Sequence, residues 1–390
     1  MKIQVTKQAV SKLMKGCPLI QEEDLLHPLE QFPKEWVTFT DSSNRFIAYG
    51  YLANQNKGIG WLLSWKNELT ASFFDKLFLK AKEARSFYFN DDNTTAFRLF
   101  NGEGDGLGGL TVDCYNEFAV FSWYNDTIYA NREMIIASFR KVFKNIEGAY
   151  EKIRFSSDQL PESQKMFGKN ASEPLIIVEN GVSYAVYLNE GLMTGIFLDQ
   201  KDVRSELVNG YAAGKQVLNM FSYTGAFSVA AAMGGAAETT SVDLAKRSSP
   251  KTAEQFAVNQ FPLDHQKIVV MDVFEYFNYA KRKAFTFDCI ILDPPSFARN
   301  KKKVFTVAKN YGDLVKQSVD ILSNKGSLIA STNAANISLK RFKKMVEEAL
   351  CDKNVHYKIE EIYQLPADFK VNPDFSEGNY LKVLLLRIEK

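Results

Sequence analysis

The spacing of apolar residues changes character near Lys215. Beyond it, short apolar or alternating runs take turns with segments whose apolar residues recur every three or four positions, which predicts strands interleaved with helices. "QVLNMF", "TTSVDL", "KIVVMDV", "FDCIILD" and "GSLIAST" read as strands. "GAFSVAAAMGG", "SSPKTAEQFAVN", "FEYFNYAKRKA", residues 307–322 and "SLKRFKKMVEEAL" read as helices. Ser249 is the expected N-cap of the second helix, with Pro250 in its first turn, and Ser338 the cap of the last. Such alternation predicts a parallel sheet covered by helices. The closing strands "VHYKIEEIYQL" and "YLKVLLLRI" have no helix between them, so they are expected to pair as an antiparallel hairpin at the sheet edge.

The part before Lys215 reads differently. "EWVTFTD", "RFIAYGYL" and "GIGWLLSW" are short strands separated by turn residues, so a small β-rich domain is expected over residues 1–69. "LTASFFDKLFLKAKEARSFYF" has helical spacing at Phe74, Leu77, Phe78, Ala81 and Ala84, and predicts a connecting helix. Five glycines between Gly102 and Gly109 follow, without the Gly-Lys-Ser/Thr ending of a phosphate loop, and read as a tight turn between strands. The expectation is a Rossmann-like α/β domain over residues 176–390, preceded by the β-rich domain and a central α+β domain over residues 70–175.

Composition narrows this only modestly. With 390 residues and 46% apolar content the chain can build two or three cores. A net charge of +2 says nothing for a polyanionic partner, so a nucleic-acid signal must be local. Four scattered cysteines with no CxxC, and three histidines without a close pair, point away from metal and fit a reducing compartment. "MKIQVTKQAV" lacks the apolar core of a signal peptide, and residues 225–237 are too short to cross a bilayer. A cytoplasmic protein with no membrane partner is expected, and a homodimer is compatible with the sequence.

The ends of the predicted strands carry the chemistry. After the first, "SYTGAFS" has a single glycine, Gly225, where a dinucleotide fold wants G-x-G-x-x-G. Its hydroxyls at Ser222, Tyr223 and Thr224 suit a ligand with an amino-acid tail better than a diphosphate. Asp243 ends the second strand and can accept from both hydroxyls of a ribose. Asp272 ends the third and can accept from an adenine amine, with Phe274 near enough to pack on the ring, and Asp293 ends the fourth. One such aspartate is ordinarily a helix cap. Three at one sheet edge fit S-adenosylmethionine (SAM), which combines adenosine, a ribose diol and a sulfonium cation.

At these residues the chain resembles the class I SAM-dependent 23S rRNA methyltransferases of the RlmI/RlmK-like group. The resemblance rests on "GIFLDQKDVR", "VLNMFSYTGAFSVAAAMGGA", "TTSVDLAKRS", "AEQFAVN", "FDCIILDPPSFAR" and "SEGNYLK", which together cover most of residues 190–382. The opening residues look like that group's small RNA-binding PUA barrel, and "LFNGEGDGLGGLTVD" like its central domain. The likeness implies SAM contacts from Ser222, Tyr223, Thr224, Gly225, Asp243, Asp272 and Asp293 and from the adjoining Leu244, Val273 and Phe274, with Gln200 and Lys201 near the methionine end. It departs from the group's 5-methylcytosine members, which carry a cysteine after the fifth strand. Here the turn reads Ser331, Thr332, Asn333. Carbon 5 of cytosine is a poor nucleophile until a thiolate adds to the ring. Cys289 lies inside a core strand. RlmK-like domains, which methylate a guanine ring nitrogen, also lack the cysteine and have an Asn-rich turn, so Asn333 is a candidate to bond the base edge. Asp293 and the carbonyl of Pro294 can accept from a flipped base or from SAM, and Phe297 offers it a stacking face.

From Ser296 to Lys316 six cations (Arg299, Lys301, Lys302, Lys303, Lys309 and Lys316) face one acid, Asp313. A lysine run is ordinarily a solvated face, but beside a strand-end site it can hold the phosphates flanking a target nucleotide. With no strong apolar period until about Val307, the sequence is compatible with a mobile lid there and leaves open whether the lysine run is ordered. The reading is a SAM-dependent rRNA methyltransferase, most simply at guanine N7 of 23S RNA. The rivals are 5-methylcytosine formation, a non-catalytic RNA-binding module, and an NAD(P)-dependent oxidoreductase, against which the missing G-x-G-x-x-G argues.

Overall fold

A computed structural model of the chain describes residues 1–300 and 303–390, with the side chains at 298–300, 303 and 304 left aside. It forms two compact units. The first comprises residues 1–177, 186–194 and 367–378, and the second residues 178–185, 195–366 and 379–390.

In the first unit, Val37–Thr40, Phe46–Leu52 and Gly60–Ser64 form a five-stranded sheet with Lys2–Gln4 and Leu19–Ile20. A second five-stranded sheet is built from Ala96–Asn101, Leu110–Tyr115, Phe118–Trp123, Gly148–Ile153 and Ser163–Gly168. One continuous apolar cluster takes in Tyr51, Trp61 and Leu63 of the first sheet and Phe100, Val112 and Phe121 of the second. The helix Ala71–Ala84 buries Phe74, Phe78 and Ala81 in it. Leu77 is half-buried and Ala84 exposed, so the buried stripe is narrower than the spacing predicts.

The glycine-rich turn is structural. Arg85 grips Asp105 with two bonds of 2.7 Å, both side chains are almost fully buried, and Asp105 also accepts from Asn101 N at 2.7 Å. Gly104 lies against the carbonyl of Lys370, where a Cβ would stand 1.8 Å from the oxygen.

The second unit is a seven-stranded sheet. Its strands are β1 (Gln216–Met220), β2 (Glu238–Asp243), β3 (Gln266–Val270), β4 (Phe287–Leu292), β5 (Leu322–Thr332), β6 (His356–Tyr363) and β7 (Lys382–Glu389). Their order is β3-β2-β1-β4-β5-β7-β6, parallel except that β7 runs antiparallel to both β5 and β6. The connecting helices are α1 (Ala226–Met233), α2 (Ser248–Ala257), α3 (Val273–Arg282), α4 (Val307–Ile321) and α5 (Leu339–Asp352). Alternate strand residues feed opposite faces, as a two-residue period requires. Leu218, Ile290 and Leu328 pack with residues of α3, α4 and α5. Val217, Cys289 and Ile329 pack with α1 and with Val203 of the short helix Lys201–Glu206. The expected α/β sheet with its closing antiparallel hairpin is therefore present.

One local expectation is corrected. Helix α2 starts at Ser248 with Arg247 in the cap position, because Ser248 Oγ turns back to donate to Ala245 O at 2.7 Å. Ser249 thus lies inside the first turn, with Pro250 beside it. In the segment before Val307, where the sequence shows no strong apolar period, Phe297–Asn300 pairs antiparallel with Lys303–Thr306. Four-residue strands are too short for an alternation signal to stand out. Among the described residues, no helix is long and apolar enough to cross a membrane.

Candidate active site

A switch in strand order lies at β1, whose neighbours β2 and β4 carry the chain in opposite directions across the sheet. Open α/β sheets place their crevice beyond the carboxyl ends of the strands at such a point. There the second unit has a cavity of about 470 Å³. It is lined by residues that end or follow β1 (Phe221, Tyr223), β2 (Asp243, Leu244), β3 (Asp272, Val273, Phe274), β4 (Asp293, Pro294, Pro295) and β5 (Asn333). Phe197, Asp199, Gln200, Glu275, Asn278 and Phe305 complete the wall.

The loop after β1 is wound by alternate left-handed residues: Phe221 (φ 61°), Tyr223 (φ 52°) and Gly225 (φ 80°). Left-handed non-glycine residues are uncommon and store strain, which the surrounding bonds must hold. Ser222 N donates to Val242 O at 3.0 Å, Tyr223 N to Asp243 Oδ2 at 2.9 Å, and Gly225 N to Ser222 O at 2.7 Å. Phe221 and Tyr223 line the cavity, whereas Ser222 and Thr224 are buried in the protein. Thr224 Oγ1 donates to Gly195 O at 2.6 Å. Gly225 leaves no room for a side chain, since a Cβ would sit 2.5 Å from Thr252 Cγ2.

The strand-end carboxylates divide their work. Asp243 braces the neighbouring loops, accepting from Tyr223 N and, at 2.8 Å, from Ala245 N, while still facing the cavity. Asp272 caps α3 by accepting from Phe274 N and Glu275 N, so its cap role and its place in the wall coexist. Asp293 accepts from Gln200 Nε2 at 3.0 Å, and the same nitrogen donates to Ser331 Oγ at 2.7 Å. Burial pushes the Asp293 carboxyl up to about 6, with the nearby Asp199 adding to the rise and the bonds from Ser331 and Gln200 opposing it.

Of the residues singled out from sequence, Gln200, Tyr223, Asp243, Leu244, Asp272, Val273, Phe274, Asp293, Pro294 and Asn333 meet in this one cavity. Ser222, Thr224, Gly225 and Lys201 do not line it; Lys201 is buried and its carbonyl accepts from Asn180 Nδ2 at 2.8 Å. Phe297 is 60% exposed and outside the lining, where Phe305 stands instead. Lys301 and Lys302 lie outside the described residues, as do the side chains of Arg299 and Lys303. The sequence reading did not assign Phe197, Asp199, Phe221, Glu275, Asn278, Pro295 and Phe305 to the site. Asp199 and Phe197 had a signal, since they stand in the "FLDQ" segment with Gln200. Phe305 had none, because only the hairpin turns it inward.

Five carboxylates (Asp199, Asp243, Asp272, Glu275 and Asp293) and five aromatic rings line the cavity, with no lysine or arginine among the described lining residues. Such a wall suits a flat ring joined to a cationic group and opposes a diphosphate. Cys289 is fully buried and its thiol pushed up to about 12 by burial, and no cysteine lines the cavity among the described residues.

Fold and cavity together define a SAM-dependent methyltransferase. The chain belongs to the S-adenosylmethionine-dependent methyltransferase family, which it matches over residues 154–387, and it matches a PUA-like domain over residues 3–65. It is 46% identical, over 99% of its length and 100% of the relative's, to a Bacillus subtilis (strain 168) protein, YwbD, provisionally named a ribosomal RNA large subunit methyltransferase. It is 30% identical, over 89% of its length and 88% of the relative's, to ribosomal RNA large subunit methyltransferase I of Aeromonas salmonicida (strain A449). Among solved structures, SMU.776 in complex with SAH, provisionally named a methyltransferase, superposes with a TM-score of 0.93 at 48% identity, covering 99% of this chain and 100% of that one.

Proposed function

We propose that this enzyme methylates a base of large-subunit ribosomal RNA, at N7 of a guanine, by direct transfer without a covalent enzyme–RNA intermediate. The names carried by the Bacillus and Aeromonas relatives support the RNA substrate. The observation that carries the chemistry is the base-side rim: Asp293, Pro294 and Asn333 stand after β4 and β5, and the cysteine nearest in sequence, Cys289, is sealed in the sheet.

In this reading Asp243, Asp272 and Phe274 hold the adenosine half of SAM, and Gln200, Asp199 and Asp293 surround its cationic half. Bound there, SAM supplies a methyl group activated by its sulfonium. N7 of guanine has an in-plane lone pair and needs no proton removed, so the protein has to align the base, exclude water and stabilise positive charge on the product ring. Asp293 can provide that charge complement when ionised. Cytosine carbon 5 would need a thiolate at this rim.

The test is nucleoside mass mapping of 23S rRNA from cells with and without the gene, joined to in vitro transfer with purified enzyme and tritiated SAM. The expected result is loss of one 7-methylguanosine on deletion and its restoration in vitro. A 5-methylcytidine, or a covalent adduct on 5-fluorocytidine-containing RNA, would reject the mechanism. Absence of transfer to that rRNA would favour a non-catalytic RNA-binding module.

A further inference from the structure

Ser296 and Asn333 stand 37 residues apart in sequence and are joined across the cavity rim, Ser296 Oγ donating to Asn333 Oδ1 at 2.5 Å. Ser296 belongs to the loop after β4 and Asn333 to the turn after β5. The main chain of that turn is held from two sides. Ala334 N donates to Thr332 Oγ1 at 3.2 Å, and the buried Lys382 ammonium donates to Ala334 O at 2.9 Å. With its oxygen engaged by Ser296, the Asn333 amide turns its other end, an NH2 that can only donate, away from that bond.

Donors are scarce on this side of the cavity. Pro294 and Pro295 have no N–H. Gln200 already directs its NH2 to Asp293 and Ser331. Asn278 is on α3, on the adenosine side of the proposed SAM site. Among the described lining residues, Asn333 is thus the side-chain amide left to donate to a base placed beside Asp293.

That matters because N7 cannot by itself identify guanine. Both purines have an N7 acceptor on the Hoogsteen edge, and they differ in the neighbouring group: guanine has the O6 acceptor, adenine the N6 amino donor. We propose that Asn333 Nδ2 donates to guanine O6 and so selects guanine over adenine, and that Ser296 is the positioning residue that keeps this amide in its donating orientation. An adenine in the same pose would set NH2 against NH2, leaving both donors unsatisfied. The proposal rests on the N7 reading above.

The experiment uses full-length enzyme and 23S rRNA from cells lacking the gene, then transcripts with guanosine or adenosine at the modified position. Asn333→Asp keeps an acceptor for Ser296 but replaces the donor with a carboxylate. It should lower kcat/KM for the guanosine RNA by about tenfold or more and narrow the guanosine preference by a similar factor. The SAM dissociation constant should stay within about twofold, since the adenosine wall is untouched. Ser296→Ala should lower kcat by about threefold or more, and Ser296→Thr, which retains the hydroxyl, should restore it. Wild-type kcat/KM and unchanged purine preference in Asn333→Asp would overturn the proposal. Failure of the parent reading is separate: the wild-type product would then not be 7-methylguanosine.

Discussion

Gln200 holds Asp293 from the side, its Nε2 donating to Oδ1 at 3.0 Å while also reaching Ser331 Oγ at 2.7 Å. The glutamine precedes the helix Lys201–Glu206, the aspartate follows β4 and the serine lies in β5, so three elements meet at one carboxylate. Its carboxyl is nevertheless pushed up to about 6, because burial outweighs the bonds that favour the charge.

This sets a pH dependence. The kcat/KM for SAM, which reports the ligand-free enzyme, should fall as pH drops through about 6, since the protonated acid no longer complements the SAM cation. Stability runs the other way. The folded state binds the Asp293 proton more tightly than the unfolded chain, so this group's contribution worsens as pH rises from about 4 to about 6. Asn at this position should therefore raise stability above pH 7 by on the order of 2 kcal/mol, with the gain fading below about pH 4. Thermal melts of Asp293→Asn and wild type across pH check this, and transfer assays should show the variant nearly inactive.

Asp243→Ala removes a group that both faces the cavity and accepts from Tyr223 N and Ala245 N. Calorimetric SAM affinity should fall by about tenfold or more, because a ligand bond and the loop brace are lost together. RNA affinity measured without SAM should stay near the wild-type value.

Gly225→Ala combines a φ of +80° with a Cβ placed 2.5 Å from Thr252 Cγ2. The left-handed backbone costs about 1–2 kcal/mol and the overlap about 1–3 kcal/mol more. Denaturant unfolding should show that loss. Adding Thr252→Ala should recover part of it, because it relieves the overlap and leaves the backbone term.

Arg204 binds Glu179 through two bonds of 2.6 and 2.8 Å, with both side chains almost fully buried, and also donates to the carbonyl of the cavity-lining Phe197 at 2.7 Å. Arg204→Met strands a buried carboxylate and should destabilise the protein by about 3–5 kcal/mol. Removing both charges, as Arg204→Met with Glu179→Leu, should recover much of that. SAM affinity should remain low in the double variant, since the anchor on Phe197 is gone.

The cation run after Asp293 carries a prediction from sequence alone. Replacing Lys301, Lys302 and Lys303 together with glutamine should weaken RNA binding and flatten its salt dependence, by up to about one unit of log–log slope for each phosphate no longer neutralised. Filter binding across salt concentrations measures it. An unchanged slope would remove these lysines from the RNA-binding surface.

The order of strands and helices in the second unit was legible because short apolar or alternating runs take turns with helical segments, although only α3 and α5 of the five connecting helices have a side-chain cap. Ser338, for example, caps α5 by accepting from Arg341 N, as its position before the helix suggests. The strand-end carboxylates were legible too, since a parallel sheet brings equivalent chain ends to one edge. The missing thiol after β5 was plain from the residue types.

Tertiary structure decided which neighbours in a motif face the ligand. Phe221 and Tyr223 turn into the cavity and Ser222 and Thr224 turn away because of left-handed backbone torsions, which leave no pattern in residue types. It also brought together Gln200 with Asp293, and Ser296 with Asn333, pairs set by crossing segments far apart in the chain. Local spacing encodes periodicity and chain reversals, whereas a hydrogen bond across 93 or 37 residues exists only after the sheet has assembled.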